Sequence, residues 1–255
     1  MSSKFSNRYS FIDQGSGQPT LVFLHYFSGA AASWQWVIEL LKENFRCIAL
    51  NLPGFGEAPA LDDPSLNNYS TFITNALTQL ELDRVVLIGH SMGGKIALQV
   101  AADLGPKLLE QAVLVAPSPP TQEPMPKEER DRMLSEHHSL EVAATTVDGA
   151  TQQPLPDPRR NIAIQTHIQA EDRTWRWWLQ DGMNYPINDR LDNIQVPVSV
   201  IASIDDPVIP RNTIENEVIA LLPAAKLIKL SGIGHLIPLE APESLAQHIR
   251  QLVTD

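Results

Sequence analysis

The 255-residue chain has a single cysteine, Cys47, which excludes an intrachain disulfide and argues against a metal site built on thiolates. Cys47 sits in Phe45-Arg46-Cys47-Ile48-Ala49-Leu50, a strand pattern in which a buried, inert thiol is expected. Positive charge is scarce. Lys and Arg number 19 against 30 Asp and Glu, a formal charge of −11, and no basic cluster offsets it. That balance disfavours nucleic acid or an anionic membrane as partner. No apolar run is long enough to span a bilayer, and Met1–Arg8 carries no apolar signal core, so a cytoplasmic chain without membrane insertion is expected. Repeats and low-complexity tracts are absent. What is present, 43% hydrophobic and 19% charged residues, fits a globular protein. The length suits one large domain with an insertion.

Strand and helix patterns alternate along most of the chain. Strands are expected at Tyr9–Asp13, Thr20–His25, Arg46–Leu50, Val85–Ile88 and Gln111–Val115. Helices are expected at Ser33–Asn44 with Ser33 as N-cap, near Ser70–Leu80, and from Lys95 to Ala101. The alternation stops after Pro117. From Ser118 to about Leu191 only helical stretches are legible, near Lys127–His138, Arg159–Ala170 and Arg173–Leu179. It resumes with strand Val198–Ser203, helix Asn212–Leu222, strand Ala225–Leu230 and helix Pro242–Val253. The expectation is an α/β fold with a mostly parallel, doubly wound sheet. Residues 1–117 and 192–255 would form the core, and 118–191 a helical cap inserted in it.

The densest chemical signal is Gly89-His90-Ser91-Met92-Gly93-Gly94, between an apolar strand and a helical pattern. Gly-x-Ser-x-Gly in that setting describes a nucleophile elbow, a strand-to-helix turn tight enough to need small neighbours. A serine hydroxyl is a poor nucleophile at neutral pH and needs a base, itself oriented by a carboxylate. Among the histidines His235 suits best, on a Gly-containing loop past the last strand. The carboxylate is Asp205 or Asp206, after strand Val198–Ser203; spacing alone leaves both open. An oxyanion hole needs two backbone donors. Met92 N–H follows the nucleophile, and Phe27, after strand Thr20–His25, is the second candidate.

On these motifs the chain resembles the α/β-hydrolase superfamily, close to its serine esterases and cofactor-free haloperoxidases. His25-Tyr26-Phe27-Ser28-Gly29 stands where members carry His-Gly-x-x-Gly, whose third position supplies an oxyanion N–H, which supports Phe27. Asn51-Leu52-Pro53-Gly54-Phe55-Gly56 is similar to the Asp-x-Pro-Gly-x-Gly loop, with Asn51 and Ala58 replacing an Asp and a Ser that look structural. Gly234-His235 with Glu240 and Pro242 is similar to the Gly-His-x4-Glu-x-Pro ending. In the family the acid directly precedes a residue followed by an apolar-apolar-Pro run, a register that favours Asp206 over Asp205. Tyr26 departs from the usual Gly, and would narrow the acyl pocket, donate a hydrogen bond or fill space.

The resemblance implies ester hydrolysis through an acyl-enzyme on a small-molecule acyl substrate, with no cofactor and no metal. Perhydrolysis or C–C bond hydrolysis with the same three residues is the alternative. The latter needs a cap arginine, for which Arg159, Arg160, Arg173 and Arg176 are candidates. Dehalogenases and epoxide hydrolases are disfavoured because they carry Asp at the Ser91 position. A ligand receptor that keeps the triad is a third reading. Trp175 and Trp178 share a helical face and form either cap core or pocket lining. Oligomeric state is left open.

Overall fold

Alternate side chains of the apolar strands point to opposite sheet faces, so both faces need covering. In the computed structural model, which describes residues 9–254, they are covered by helices. The Met1–Arg8 segment lies outside the described residues. The elements run β1 (Phe11–Gln14), β2 (Thr20–Leu24), α1 (Gln35–Leu41), β3 (Cys47–Leu50), α2 (Leu66–Gln79), β4 (Val85–His90), α3 (Met92–Leu104) and β5 (Leu109–Val115). Four helices follow: α4 (Lys127–Glu136), α5 (Leu140–Gly149), α6 (Asp157–Gln169) and α7 (Asp172–Gln180). The chain then returns through β6 (Val198–Ser203), α8 (Arg211–Thr213), β7 (Lys226–Leu230), α9 (Ile237–Glu240) and α10 (Pro242–Thr254).

The sheet has seven strands in the order β1-β3-β2-β4-β5-β6-β7. Only β1 is antiparallel to its neighbour, with Phe11 opposite Leu50. Val22, Leu24, Val85 and Leu87 pack with α2 and α3 on one face. Leu21, Phe23, Val86 and Ile88 pack with α1 and α10 on the other. Trp175, Trp178 and Leu179 of α7 join the first cluster, so the inserted helices share a core with the sheet. A smaller cluster ties Tyr26, Leu236 and Leu239 to Val147 of α5 and Ile164 of α6. Cys47 is fully buried, and burial pushes its thiol up to about 12, an inert state.

Several expectations are corrected. The helix expected over Ser33–Asn44 opens as a 3-10 turn, Ala31–Trp34, before α1. Ser33 lies inside that turn, where its Oγ accepts from Ala30 N–H at 3.3 Å instead of capping α1. Helix α2 begins at Leu66, not near Ser70, because Ser65 Oγ caps it by accepting from Asn68 N–H. Helix α5 was not legible and is capped in the same way by Ser139.

Candidate active site

Ser91 occupies the turn between β4 and α3 with φ 54° and ψ −116°, a conformation disfavoured for a side-chain-bearing residue. Close packing enforces it. A Cβ on Gly89 would strike the Gly93 carbonyl, and one on Gly93 would come within 2.6 Å of the Leu24 and His25 carbonyl oxygens. Ser91 N–H donates to Val115 O at 3.0 Å, and Ser91 O accepts from Ser118 N–H at 3.0 Å, so β5 buttresses the turn. Met92 is the first residue of α3. Its N–H is one of the amides that have no partner within a helix, at the positive end of the helix dipole.

His235 and Asp206 arrive on the loops after β7 and β6. His235 Nδ1–H donates to Asp206 Oδ2 at 2.7 Å in a buried contact. The other oxygen, Asp206 Oδ1, accepts from Val208 N–H at 2.8 Å and Ile209 N–H at 2.9 Å, which fixes the carboxylate. Asp205 points elsewhere: its Oδ2 accepts from Gly232 N–H at 2.7 Å, bracing the loop. Glu240, in the ending read from the sequence, accepts from Gly234, Gln152 and Gln153 N–H at 2.8–3.0 Å. His235 N–H donates to Ala150 O at 2.7 Å, so the imidazole loop is tied to the end of α5.

The loop after β2 is held by His25. Leu52 N–H donates to His25 Nε2 at 3.1 Å, which leaves the proton on Nδ1 to donate to Tyr26 O at 2.7 Å. Burial lowers this imidazole to about 4, so it is neutral and structural. His90 is likewise held well below the ordinary value by burial and donates from Nε2 to His235 O at 2.9 Å. Asn51 accepts from Ala31 N–H at 2.7 Å and donates to Ser10 Oγ at 2.9 Å, a structural role matching its reading.

Ser91 and His235 open onto one cavity of about 370 Å³, together with Phe27, Tyr26 and Trp178. The Tyr26 hydroxyl is itself buried, and burial pushes it up to about 12, so it keeps its proton. Trp175 does not line the cavity. It stands behind Phe27 at 4.3 Å between ring centroids, fully buried, its Nε1–H donating to Met133 O at 2.8 Å. None of the four sequence-selected arginines lines the cavity. Arg159 donates to Leu239 O, Arg160 pairs with Asp148, Arg173 reaches Leu61 and Asp62, and Arg176 faces a separate surface groove. The arginine on the cavity wall is Arg132, already paired with Glu129 at 2.9 Å.

Sequence reading missed Glu123 and His167, both buried on the cavity wall. Burial raises the Glu123 carboxyl, opposed in part by the charges of His235 and Lys95. Lys95, one turn after Ser91, is fully buried, and burial lowers it to about 8. Its Nζ donates to Thr121 O at 2.8 Å and Met183 O at 3.1 Å, fixing the segment that carries Glu123. Burial lowers His167 to about 4, leaving it neutral. Glu123 lies in a proline-rich stretch without periodicity, so the only available signal was a carboxylate among prolines.

A model of the alpha/beta hydrolase family matches residues 21–248. The uncharacterized hydrolase YugF of Bacillus subtilis is 26% identical over 94% of this chain and 92% of its own length. The sn-1-specific diacylglycerol lipase ABHD11 of Xenopus laevis is 26% identical over 90% of this chain and 78% of its own. The crystal structure of bromoperoxidase from Bacillus anthracis is similar at a TM-score of 0.86 and 17% identity, covering 96% of this chain and 95% of that one. That last likeness is one of fold. No helix among the described residues is long and apolar enough to cross a membrane.

Proposed function

The chain belongs to the alpha/beta hydrolase family, and on that premise we propose that it cleaves small to medium carboxylic esters through an acyl-enzyme on Ser91. The observation that carries the reading is the buried 2.7 Å bond from His235 Nδ1–H to Asp206. An ionised carboxylate only accepts, so the ring proton stays on Nδ1 and Nε2 is left as the base. His235 and Ser91 line the same cavity.

In the proposed reaction Ser91 Oγ attacks the ester carbonyl while His235 Nε2 takes its proton. The tetrahedral oxyanion is met by the N–H groups of Phe27 and Met92. Collapse breaks the bond to the alcohol, which leaves with the proton from His235. Water then attacks the acyl-enzyme, giving its proton to His235, and Ser91 regains one as the acid departs. No cofactor enters these steps. Residues 118–191 act as the cap over a core of 1–117 and 192–255, supported by the four helices α4–α7 between β5 and β6.

Steady-state hydrolysis of p-nitrophenyl butyrate tests this. Ser91→Ala is expected to lose about 10³-fold or more in kcat, and Asp206→Asn about 10³- to 10⁴-fold. Asp205→Asn should stay within about tenfold of wild type, since it touches only the loop. Full activity in Ser91→Ala overturns the mechanism, and a single stoichiometric burst without turnover favours the receptor reading.

A further inference from the structure

The inserted helices pack in two groups. Met133 of α4 belongs to the cluster that holds Trp175 and Trp178 of α7, whereas Ala143 and Val147 of α5 pack with Ala163 and Ile164 of α6. Among the described residues, then, no apolar cluster joins α4 to α5, and two spaces meet at the seam between them. One is the cavity of about 370 Å³ that holds Ser91 and His235. The other is a surface groove of about 820 Å³ whose apolar members are Leu134 and Val142. Arg132 and Thr145 line both spaces. Thr145 is short and exposed, and its Oγ1–H donates back to Glu141 O at 2.9 Å. The bulk of the partition is therefore Arg132.

Resting on the ester reading above, we propose that Arg132 is a specificity-determining residue that ends the acyl site and sets the longest acyl chain accepted. Its side chain is fixed where a wall is needed. Arg132 Nε–H donates to Glu129 Oε2 at 2.9 Å, and Nη2 donates to Glu129 Oε1 and to Thr146 Oγ1, the latter at 3.1 Å. Two parallel bonds to one carboxylate orient the guanidinium as well as hold it. The bond to Thr146 is the one side-chain hydrogen bond from α4 to α5 among the described residues. An acyl chain carried on Ser91 that crosses the cavity to this seam meets a paired charge. Pressing methylenes against that charge strips water from it without offering a new partner, which is unfavourable. Removing the side chain joins the cavity to the groove, where further methylenes can lie along Leu134 and Val142. Arg132 acts on chain length alone and takes no part in the bond-making steps.

The test is the ratio of kcat/KM for p-nitrophenyl dodecanoate to that for the butyrate, in the full-length protein. Arg132→Ala, at a half-buried position, should raise the ratio at least about tenfold, and Arg132→Gln, a smaller truncation, should raise it less. Thr146→Val cuts the same link between α4 and α5 but leaves the wall standing, so its ratio should stay within about threefold of wild type. An unchanged ratio in both Arg132 variants overturns the assignment. So does an equal rise in Thr146→Val, which would trace the effect to a loosened seam. A shift seen only in a series of alkyl acetates, where the chain is on the alcohol, overturns it as well. The same ratio is read without turnover as the Kd of the two uncleaved esters on a Ser91→Ala background, with and without Arg132→Ala. If the wild type cleaves no ester, the ester reading fails alone, and the affinity ratio still decides for or against Arg132.

Discussion

Burial alone would lower the His235 imidazole, but the charge of Asp206, their hydrogen bond and the charge of Glu123 outweigh it and leave it raised. A general base must be neutral to accept a proton, so kcat/KM should rise with pH through a midpoint above that of an ordinary histidine. Glu123 belongs to the cause of that displacement. Replacing it by Gln removes one negative charge that favours imidazolium, so the acid limb of kcat/KM should move to lower pH. In mildly acidic buffer Glu123→Gln should then retain a larger share of its maximal rate than the wild type. The difference should fade at more acidic pH, where the Glu123 carboxyl, itself raised by burial, is protonated in the wild type. A limb that stays in place or moves upward in Glu123→Gln would show that its charge is not felt at the base. The comparison is of curve position, so a general loss of activity in the variant does not mimic it.

Helix α7 shows how one helical stripe divides into two tasks. Trp175 and Trp178 are three residues apart and share a face, yet only Trp178 reaches the cavity, while Trp175 is sandwiched among Phe27, His137 and His167. Trp175→Phe leaves the Met133 carbonyl without its donor, an expected loss of about 1–3 kcal/mol, with acyl-chain preference unchanged. Trp178→Leu should instead shift preference toward bulkier acyl groups, read as a changed ratio of kcat/KM between butyrate and octanoate esters. A preference shift in Trp175→Phe equal to that of Trp178→Leu would contradict the division. Spacing defined the stripe but not its depth, because depth depends on where α7 docks. Glu171 N–H donates to Gly54 O at 2.9 Å, a contact between residues far apart in sequence. By contrast the elbow was legible, since the steric demand on Gly89 and Gly93 is local and leaves its mark in adjacent residues. The partnership of His235 with Asp206 was legible only through motif register. Its geometric cause, two backbone N–H groups turning Asp206 inward while Gly232 holds Asp205, is tertiary.

At the scale of the whole molecule, the sheet places Ser91, His235 and Asp206 at the ends of three strands, and residues of the inserted helices line one cavity with Ser91 and His235. The cavity of about 370 Å³ is small for a ligand site and is walled by Tyr26, Phe27, Met125, Met133, Trp178 and Leu236. Beside Ser91 and His235, the charged or titratable side chains Glu123, Glu129, Arg132 and His167 stand among these apolar walls. A chain that fits such a space gains with each methylene buried, about 0.8 kcal/mol. Beyond the cavity's capacity each further methylene must displace the cap or remain in water. The p-nitrophenyl ester series should therefore peak in kcat/KM between acetate and hexanoate and fall by about tenfold or more at dodecanoate. The formal charge of −11 acts in the same direction, because it opposes docking on anionic lipid surfaces where long-chain substrates reside. Adding anionic vesicles should leave butyrate turnover unchanged and should not restore the dodecanoate rate. A profile that instead climbs to dodecanoate, or rises on vesicles, would mean that the cavity does not limit the substrate.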